Sequence, residues 1–367
     1  MPLQNTYNNI SLIKLIKKLI STKINILDIG AAGGIIDEFL YLNKISQFYG
    51  FEPRKDEAEK LNDSTPDNHK YFSHALSDKE QLKIFYNSYS ASTSGFYPDD
   101  NFFNSRFVDN TNNKIKDETK VECITLNSII SKFNNRIDII KLDTEGSELE
   151  ILKGGTECLE STLMILTECH FSKFQKKNNQ HFSKIDEFIQ NHNFFLYDID
   201  QKRIAKSTLP VGKIFSLFNF CFAGKKNQDF GQSRIADVLY FRDPIFEFKI
   251  NKSKAEVSWT NDKILKLICI LDLYNYQDSA IEILIFFKNR FKKNNFNELM
   301  KLLIKFDNSY FTLGNNKYTK NYLRNNYIKS LIVKFFSFTQ KNINYKMYVD
   351  QSHKIAKKLG FFNTNID

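Results

Sequence analysis

Short apolar runs, each stopped by glycine, proline or an acid, set the rhythm of the first two thirds of this chain. Residues 24–29 (Ile-Asn-Ile-Leu-Asp-Ile) form a β-branched run that ends at Gly30, the pattern of a strand buried on both faces. Comparable runs at 47–52, 71–76, 82–87, 121–124, 136–142, 163–167, 194–199 and 214–222 predict further strands. Between them, 34–43, 55–61, 126–133, 147–153 and 184–191 predict helices, and 8–20 predicts an amphipathic helix whose polar positions include Lys14, Lys17 and Lys18. Strands that alternate with helices build a mostly parallel α/β sheet covered on both faces.

The pattern breaks in two places. Residues 88–120 are polar and too long for an ordinary connection, yet they hold Tyr89, Phe96, Tyr97, Phe102, Phe103 and Phe107, so they predict a partly ordered lid-like insertion. Beyond Trp259 the apolar spacing becomes i, i+3, i+4 with lysines opposite, which predicts helices at 263–273, 278–291, 297–304, 322–336 and 347–359. The expected organisation is an N-terminal helix (1–22), an α/β domain (23–225), a connecting segment (226–260) in which 235–244 returns across the domain surface, and an all-α, lysine-rich C-terminal domain (261–367).

Charge sharpens this division. The chain carries a net +10, and residues 251–367 hold 20 Lys and Arg against 9 Asp and Glu, so the first 250 residues are nearly neutral. The basic third could meet a protein partner, an acidic surface or a nucleic acid, or be a solvated lysine face. Five cysteines without a C-x-x-C pair exclude a zinc ribbon, a thioredoxin-type site and a disulfide framework, and fit a reducing compartment, so a cytoplasmic location is expected. No secretory signal and no run of 18 apolar residues occurs, so no membrane span is expected.

Candidate chemistry lies at the ends of the predicted strands. Asp28, Gly30, Ala31 and Gly34 form a D-x-G-x-x-x-G turn, and the next strand ends in Glu52-Pro53. Glycines let backbone N–H groups approach a ligand, and an acid at the second strand tip can accept ribose hydroxyls. An acid ahead of the first glycine suits a nucleoside without a pyrophosphate, and Asp28 could help hold the cationic amino-acid end of S-adenosylmethionine. His74 and Ala75, at the exit of the third strand, are placed to read the adenine edge. A second cluster, Lys141-Leu-Asp-Thr-Glu-Gly-Ser-Glu148, puts Asp143 and Glu145 at the fourth parallel strand tip, and Glu168 and His170 follow at the fifth. Such carboxylates call for cations, protons or a metal. Asp143 or His170 could act as a general base, Glu145 and Glu168 could orient an acceptor, and Asp143, Glu145 and Glu168 could ligate Mg²⁺. Glu148 opens a helix, where an acid also suits the dipole.

The segment 139–154 (Ile-Ile-Lys-Leu-Asp-Thr-Glu-Gly-Ser-Glu-Leu-Glu-Ile-Leu-Lys-Gly) resembles the FkbM-like family of S-adenosylmethionine-dependent methyltransferases, as do Asp28-Ile-Gly-Ala, Gly34, Phe51-Glu-Pro and Ala75-Leu-Ser-Asp. The resemblance spans about residues 20–225. It implies a Rossmann-like class I methyltransferase sheet, methyl transfer to a hydroxyl of a sugar, glycan or related polyol, Asp28, Gly30, Gly34 and Glu52 at the cofactor, and Asp143 and Glu145 near the methyl group. Ala32 and Leu126-Asn127 depart from the family pattern, and the helical third has no counterpart in its minimal domain. Two other readings stay open: a nucleic-acid methyltransferase, disfavoured because no Asn-Pro-Pro-Tyr-like or Pro-Cys motif follows the fourth strand, and a cofactor-binding interaction protein without catalysis.

Overall fold

The computed structural model describes residues 10–90, 93–107, 114–133, 136–172, 175, 181–208 and 231–303. The expected strand at 214–222, the helices at 322–336 and 347–359 and most of the basic C-terminal third lie outside the described residues. Helix α1 (Ile10–Leu19) buries Leu12, Leu15 and Ile16 and leads into strand β1 (Ile24–Ile29). β1 sits at the centre of a seven-stranded sheet, between β2 (Ser46–Phe51) and β7 (Ile139–Leu142), and five of its six residues are buried. A run of apolar residues with no polar face fits only such a place.

The sheet order is β3-β2-β1-β7-β8-β10-β9, with β3 (His69–Phe72), β8 (Met164–His170), β9 (Phe194–Ile204) and β10 (Gln232–Arg242). Strands β3, β2, β1, β7 and β8 pair in parallel, and β10 runs antiparallel to both neighbours. The chain winds outward from β1 to β3, then returns to the other side of β1 to lay down β7. A switch point therefore opens at the carboxyl ends of β1 and β7, the place where doubly wound sheets hold ligands. A second sheet, β4-β6-β5, joins Ala75–Leu76, Ile115–Ile124 and Gln81–Ser88. The main core unites Leu27, Ile29, Ile140, Leu142, Ile165, Ala236, Val238 and Tyr240 with residues from α5 (Leu126–Ile129), α6 (Glu148–Lys153), α7 (Thr156–Ser161) and α8 (Phe182–Gln190).

Several expectations change. Residues 235–244 do not cross the surface. Residues 235–242 belong to β10, whose Ala236, Val238 and Tyr240 are fully buried, because the sheet beyond β8 is completed by a reversed strand rather than a sixth parallel one, and Asp243 and Pro244 open the helix that follows. The expected strand 71–76 is two strands in two sheets, β3 and β4. The first helix shrinks from 34–43 to α2 (Asp37–Leu40), since Gly33 and Gly34 both take positive φ and prolong the turn. The tail of the expected lid is strand β6.

The helices α9 (Pro244–Ile250), α10 (Lys252–Ser258), α11 (Asn261–Leu273) and α12 (Gln277–Phe286) fall with the α/β sheet in one compact unit, Met1–Phe286. Every residue of α11 from Lys263 to Leu273 is buried, which overturns the solvent-facing lysines expected there. Lys266 shows why. Its ammonium, wholly buried, lies 2.9 Å from the equally buried Asp138 at the start of β7 and also donates to the Lys23 carbonyl. In the second unit, Phe287–Asp367, helix α13 (Lys293–Leu303) buries Leu299, Met300 and Leu303. No helix among the described residues is long and apolar enough to cross a membrane.

Candidate functional site

The cleft at the switch point is lined by Gly30, Gly34, Glu52, Arg54, His74, Ala75, Leu76, Phe85, Ser94, Phe96, Lys141, Asp143 and Glu145, among others. Its floor is the glycine turn. Gly30 (φ +82°), Gly33 (φ +81°) and Gly34 (φ +92°) occupy the left-handed region, while Gly30 and Ala31 donate to the Phe51 carbonyl at 3.0 and 3.1 Å. A Cβ at Gly30 would stand 1.9 Å from the Asp143 backbone oxygen. The turn therefore packs directly on the acidic loop, which only glycine permits.

Of the seven residues expected at a nucleoside, Gly30, Gly34, Glu52, His74 and Ala75 line this cleft; Asp28 and Ala31 stand behind the lining and are almost wholly buried. Asp28 faces Lys141 in strand register, and the Lys141 ammonium lies 3.0 Å from its carboxylate. Burial pushes the Asp28 carboxyl up while Lys141 opposes the shift. At the next tip, Glu52 Oε1 accepts both the Arg54 backbone N–H (3.0 Å) and its Nε–H (2.7 Å).

Asp143 projects from the end of β7 into the cleft. It is open on one side, with 44 % of its side chain exposed, and walled by protein on the others. That wall and the nearby Glu168 carboxylate raise it to about 6, against the pull of Lys141 (3.5 Å away) and Lys202. The loop that follows is folded by Glu148, whose Oε1 accepts from Thr144 N, Thr144 Oγ1 and Gly146 N at 2.9, 2.9 and 3.2 Å. This bonding puts Glu145 at φ +55° and Gly146 at φ +104°. Burial, then Glu168, Asp143 and Glu148, push the Glu145 carboxyl well above its ordinary range.

Glu168 and His170 lie deeper, each less than a tenth exposed and neither part of the cleft lining. Burial would raise Glu168, but His170 (Nε2 3.6 Å away) and Lys202 (3.1 Å) overcome it and hold the carboxyl at about 2. Burial would lower His170, and Glu168 reverses this, so the imidazole keeps its proton above the usual pH. Lys202 also reaches Asp237 (3.5 Å), across the three adjacent strands β8, β10 and β9. Ligand atoms of Glu145, Glu168 and His170 approach within 4.8 Å of one another. The set differs from the expected trio by exchanging Asp143 for His170. Glu168 already faces two cations of the chain itself, so these residues fit internal charge balance rather than the oxygen cage that Mg²⁺ needs.

Above the cleft, the described part of the insertion (93–107) folds back as an ordered cover. Gly95 exchanges backbone bonds with Tyr86, and its Cα lies so close to the acidic loop that a Cβ would meet Glu145 Cβ at 3.1 Å. The Tyr97 hydroxyl donates to Glu150 Oε1, and Lys83 pairs with Glu150 at 2.6 Å while sitting 4.5 Å from the Phe96 ring centroid. On the far side, Gln175 Nε2 donates to the Glu145 carbonyl at 2.8 Å. Reading by motif misses Lys202, Arg54, Gly33 and the Tyr97–Glu150 tie. Only Gly33, adjacent to Gly34, carried a local signal.

The family model described as "Methyltransferase FkbM domain" matches residues 28–196. No curated protein matches the chain by sequence. Among solved structures, the chain is similar to a TehB-like SAM-dependent methyltransferase from Corynebacterium glutamicum (11 % identity over 63 % of this chain and 87 % of that one, TM-score 0.28). It is also similar to magnesium protoporphyrin IX methyltransferase from Synechocystis with bound SAM (9 %, 66 % and 80 %, TM-score 0.30). A third is precorrin-6y C5,15-methyltransferase from Geobacter metallireducens (8 %, 64 % and 86 %, TM-score 0.28). Scores of this size carry no argument; the strand order and the glycine turn carry the fold. The family match runs from the Asp28 turn to the first residues of β9, somewhat less than half of the chain.

Proposed function

We propose that this protein is an S-adenosylmethionine-dependent O-methyltransferase that acts on a hydroxyl of a sugar, glycan or related polyol. The observation that carries the reading is Asp143, a half-open carboxylate raised to about 6 at the edge of the cleft, stacked on the glycine turn. The cleft fits the cofactor in three respects. Positive φ at three glycines keeps the turn clear of side chains. Both Arg54 bonds to Glu52 fall on Oε1, so Oε2 remains for a ribose hydroxyl. His74 Nδ1 is buried with no partner among the described residues, at the position expected for the adenine edge.

Bound there, the cofactor supplies an electrophilic methyl group on a sulfonium. Asp143, ionised above about pH 6, accepts the proton of the acceptor hydroxyl. Glu145, pushed well above its ordinary range by burial and by its acidic neighbours, is placed to hydrogen-bond the acceptor. Against the effect of burial, Glu168 raises the His170 imidazole, and His170 lies deeper than the cleft lining, so it supports that carboxylate and Asp143 serves as the base. Segment 93–107 narrows access to the acids and keeps water from competing. Two further carboxylates and the Phe96 ring favour a polyhydroxylated acceptor, since aromatic faces and carboxylates together suit sugars. Most of the basic C-terminal region, for which an acidic surface or a protein partner is the proposed ligand, lies outside the described residues.

The test is transfer of isotope-labelled methyl from S-adenosylmethionine to a panel of glycans and polyols, with calorimetry beside it. The wild-type protein labels an acceptor, and Asp143→Asn binds S-adenosylhomocysteine but transfers nothing. Full turnover by Asp143→Asn, or no heat with either cofactor form, overturns the reading.

A further inference from the structure

Glu52 has an unusual neighbour. Its side chain is only 4 % exposed, a setting that normally disfavours an ionised carboxylate. The chain leaves β2 through Pro53, which has no N–H to donate, so the first donors within reach belong to Arg54. Arg54 supplies two of them, the backbone N–H at 3.0 Å and Nε–H at 2.7 Å, and both converge on the same oxygen, Oε1. Arg54 itself stands at the start of α3 (Lys55–Ser64), has 23 % of its side chain exposed, and lines the cleft beside Glu52. A bidentate Arg–carboxylate pair would occupy both oxygens. This one leaves the second free of that pairing and fixes the rotamer of the first.

We propose that Arg54 is a positioning residue that clamps Glu52 Oε1 so that Oε2 is presented to the ribose hydroxyls of the cofactor. The inference rests on the cofactor reading above and goes beyond it. Arg54 compensates the charge of a buried acid without competing for the ligand, and the proline between them fixes how far apart the two residues start. A carboxylate without the clamp would rotate, and the ribose would lose a pre-oriented acceptor.

The experiment is calorimetry with two probes, S-adenosylhomocysteine and its 2′-deoxy analogue, on wild type, Arg54→Ala, Glu52→Gln and the double variant. Wild type is expected to prefer the ribose form by roughly tenfold or more, the scale of a hydrogen bond to a charged group. Arg54→Ala loses most of that preference, and adding it to Glu52→Gln costs nothing further, because the two residues act as one unit. If Arg54→Ala does not fold, Arg54→Lys, which keeps the charge but lacks the Nε–H, is read in the same way. The proposal is overturned if the Arg54 variant keeps the wild-type preference, if both probes weaken equally (the mark of direct stacking on the base), or if the losses at 52 and 54 add. Wild type that gives no heat with S-adenosylhomocysteine removes the cofactor reading itself, a result distinct from all of these.

Discussion

Gly30 rests on the backbone carbonyl of Asp143, so the nucleoside turn and the candidate base form one rigid contact: a Cβ on Gly30 would come within 1.9 Å of that oxygen. Gly30→Ala must both hold alanine at φ +82° and push the acidic loop away. The backbone strain alone is on the order of 1–3 kcal/mol. We expect lower stability in urea unfolding together with loss of S-adenosylhomocysteine binding. Gly33→Ala, where no atom lies within 4 Å of the added Cβ, should show the strain without the displacement.

The raised carboxyl of Asp143 sets two pH dependences of opposite sign. Transfer should rise with pH through about 6 and then level off, as the base becomes ionised. Stability should move the other way. The folded carboxyl holds its proton more tightly than the ordinary 3.8, so its contribution is present below about pH 4 and is lost as pH rises to about 6. Asp143→Asn should abolish the first dependence and flatten the second, measured by rate profiles and by melting at pH 4 and 7.

Glu168 titrates with the reverse sign. Its folded value of about 2 lies below the ordinary 4.5, so its contribution is present above 4.5 and fades as pH falls toward 2. Lys202→Met removes one of the cations that hold it there. With half of Lys202 exposed, we expect the low end of about 1–3 kcal/mol at neutral pH. Denaturant titrations of variant and wild type should converge as the pH drops below 4.5. A constant difference across that range would show that Lys202 does not act through Glu168.

The buried pair Lys266–Asp138 should cost more to break than the part-exposed Lys202–Glu168 pair. Both side chains have no exposure, and Lys266→Ala leaves Asp138, among the described residues, with only the Arg136 guanidinium at 3.2 Å and the Asn25 N–H at 2.9 Å, so we expect the low end of about 3–5 kcal/mol. Lys266→Met combined with Asp138→Asn should recover part of that loss, because it removes both charges together. Urea midpoints for the three proteins decide the matter.

Much of this site could be read from the chain because its chemistry is local. Strand, glycine turn and acidic tip lie within one stretch, from Ile24 to Glu52, and the structure brings Gly30, Gly34 and Glu52 to a common cleft. Asp143 and Glu145 announce themselves by lying three residues or fewer from the end of an apolar strand. What escaped depends on long-range pairing. Lys202 reaches Glu168 only because β10 is wedged between β8 and β9, a pairing that no local spacing reveals. The lysines of α11 matched a solvent face by spacing alone, yet Asp138, more than a hundred residues earlier, draws Lys266 inward. That Asp28 has Lys141 as its cross-strand neighbour could likewise not be read from the order of the chain.

The placement of β10 also bears on how the protein is made. Among the described strands, β9 hydrogen-bonds only to β10, and β8 shows an open edge until residues 232–242 exist. A ribosome that has finished everything through residue 196 has released the whole stretch matched by the family model, but not the strand that seals its sheet. The nascent chain must carry that exposed edge for at least another 46 residues, and for longer still until Lys266 emerges to meet Asp138. Chaperone demand during synthesis should therefore peak late, after the candidate site residues Asp143 and Glu145 have already left the exit tunnel.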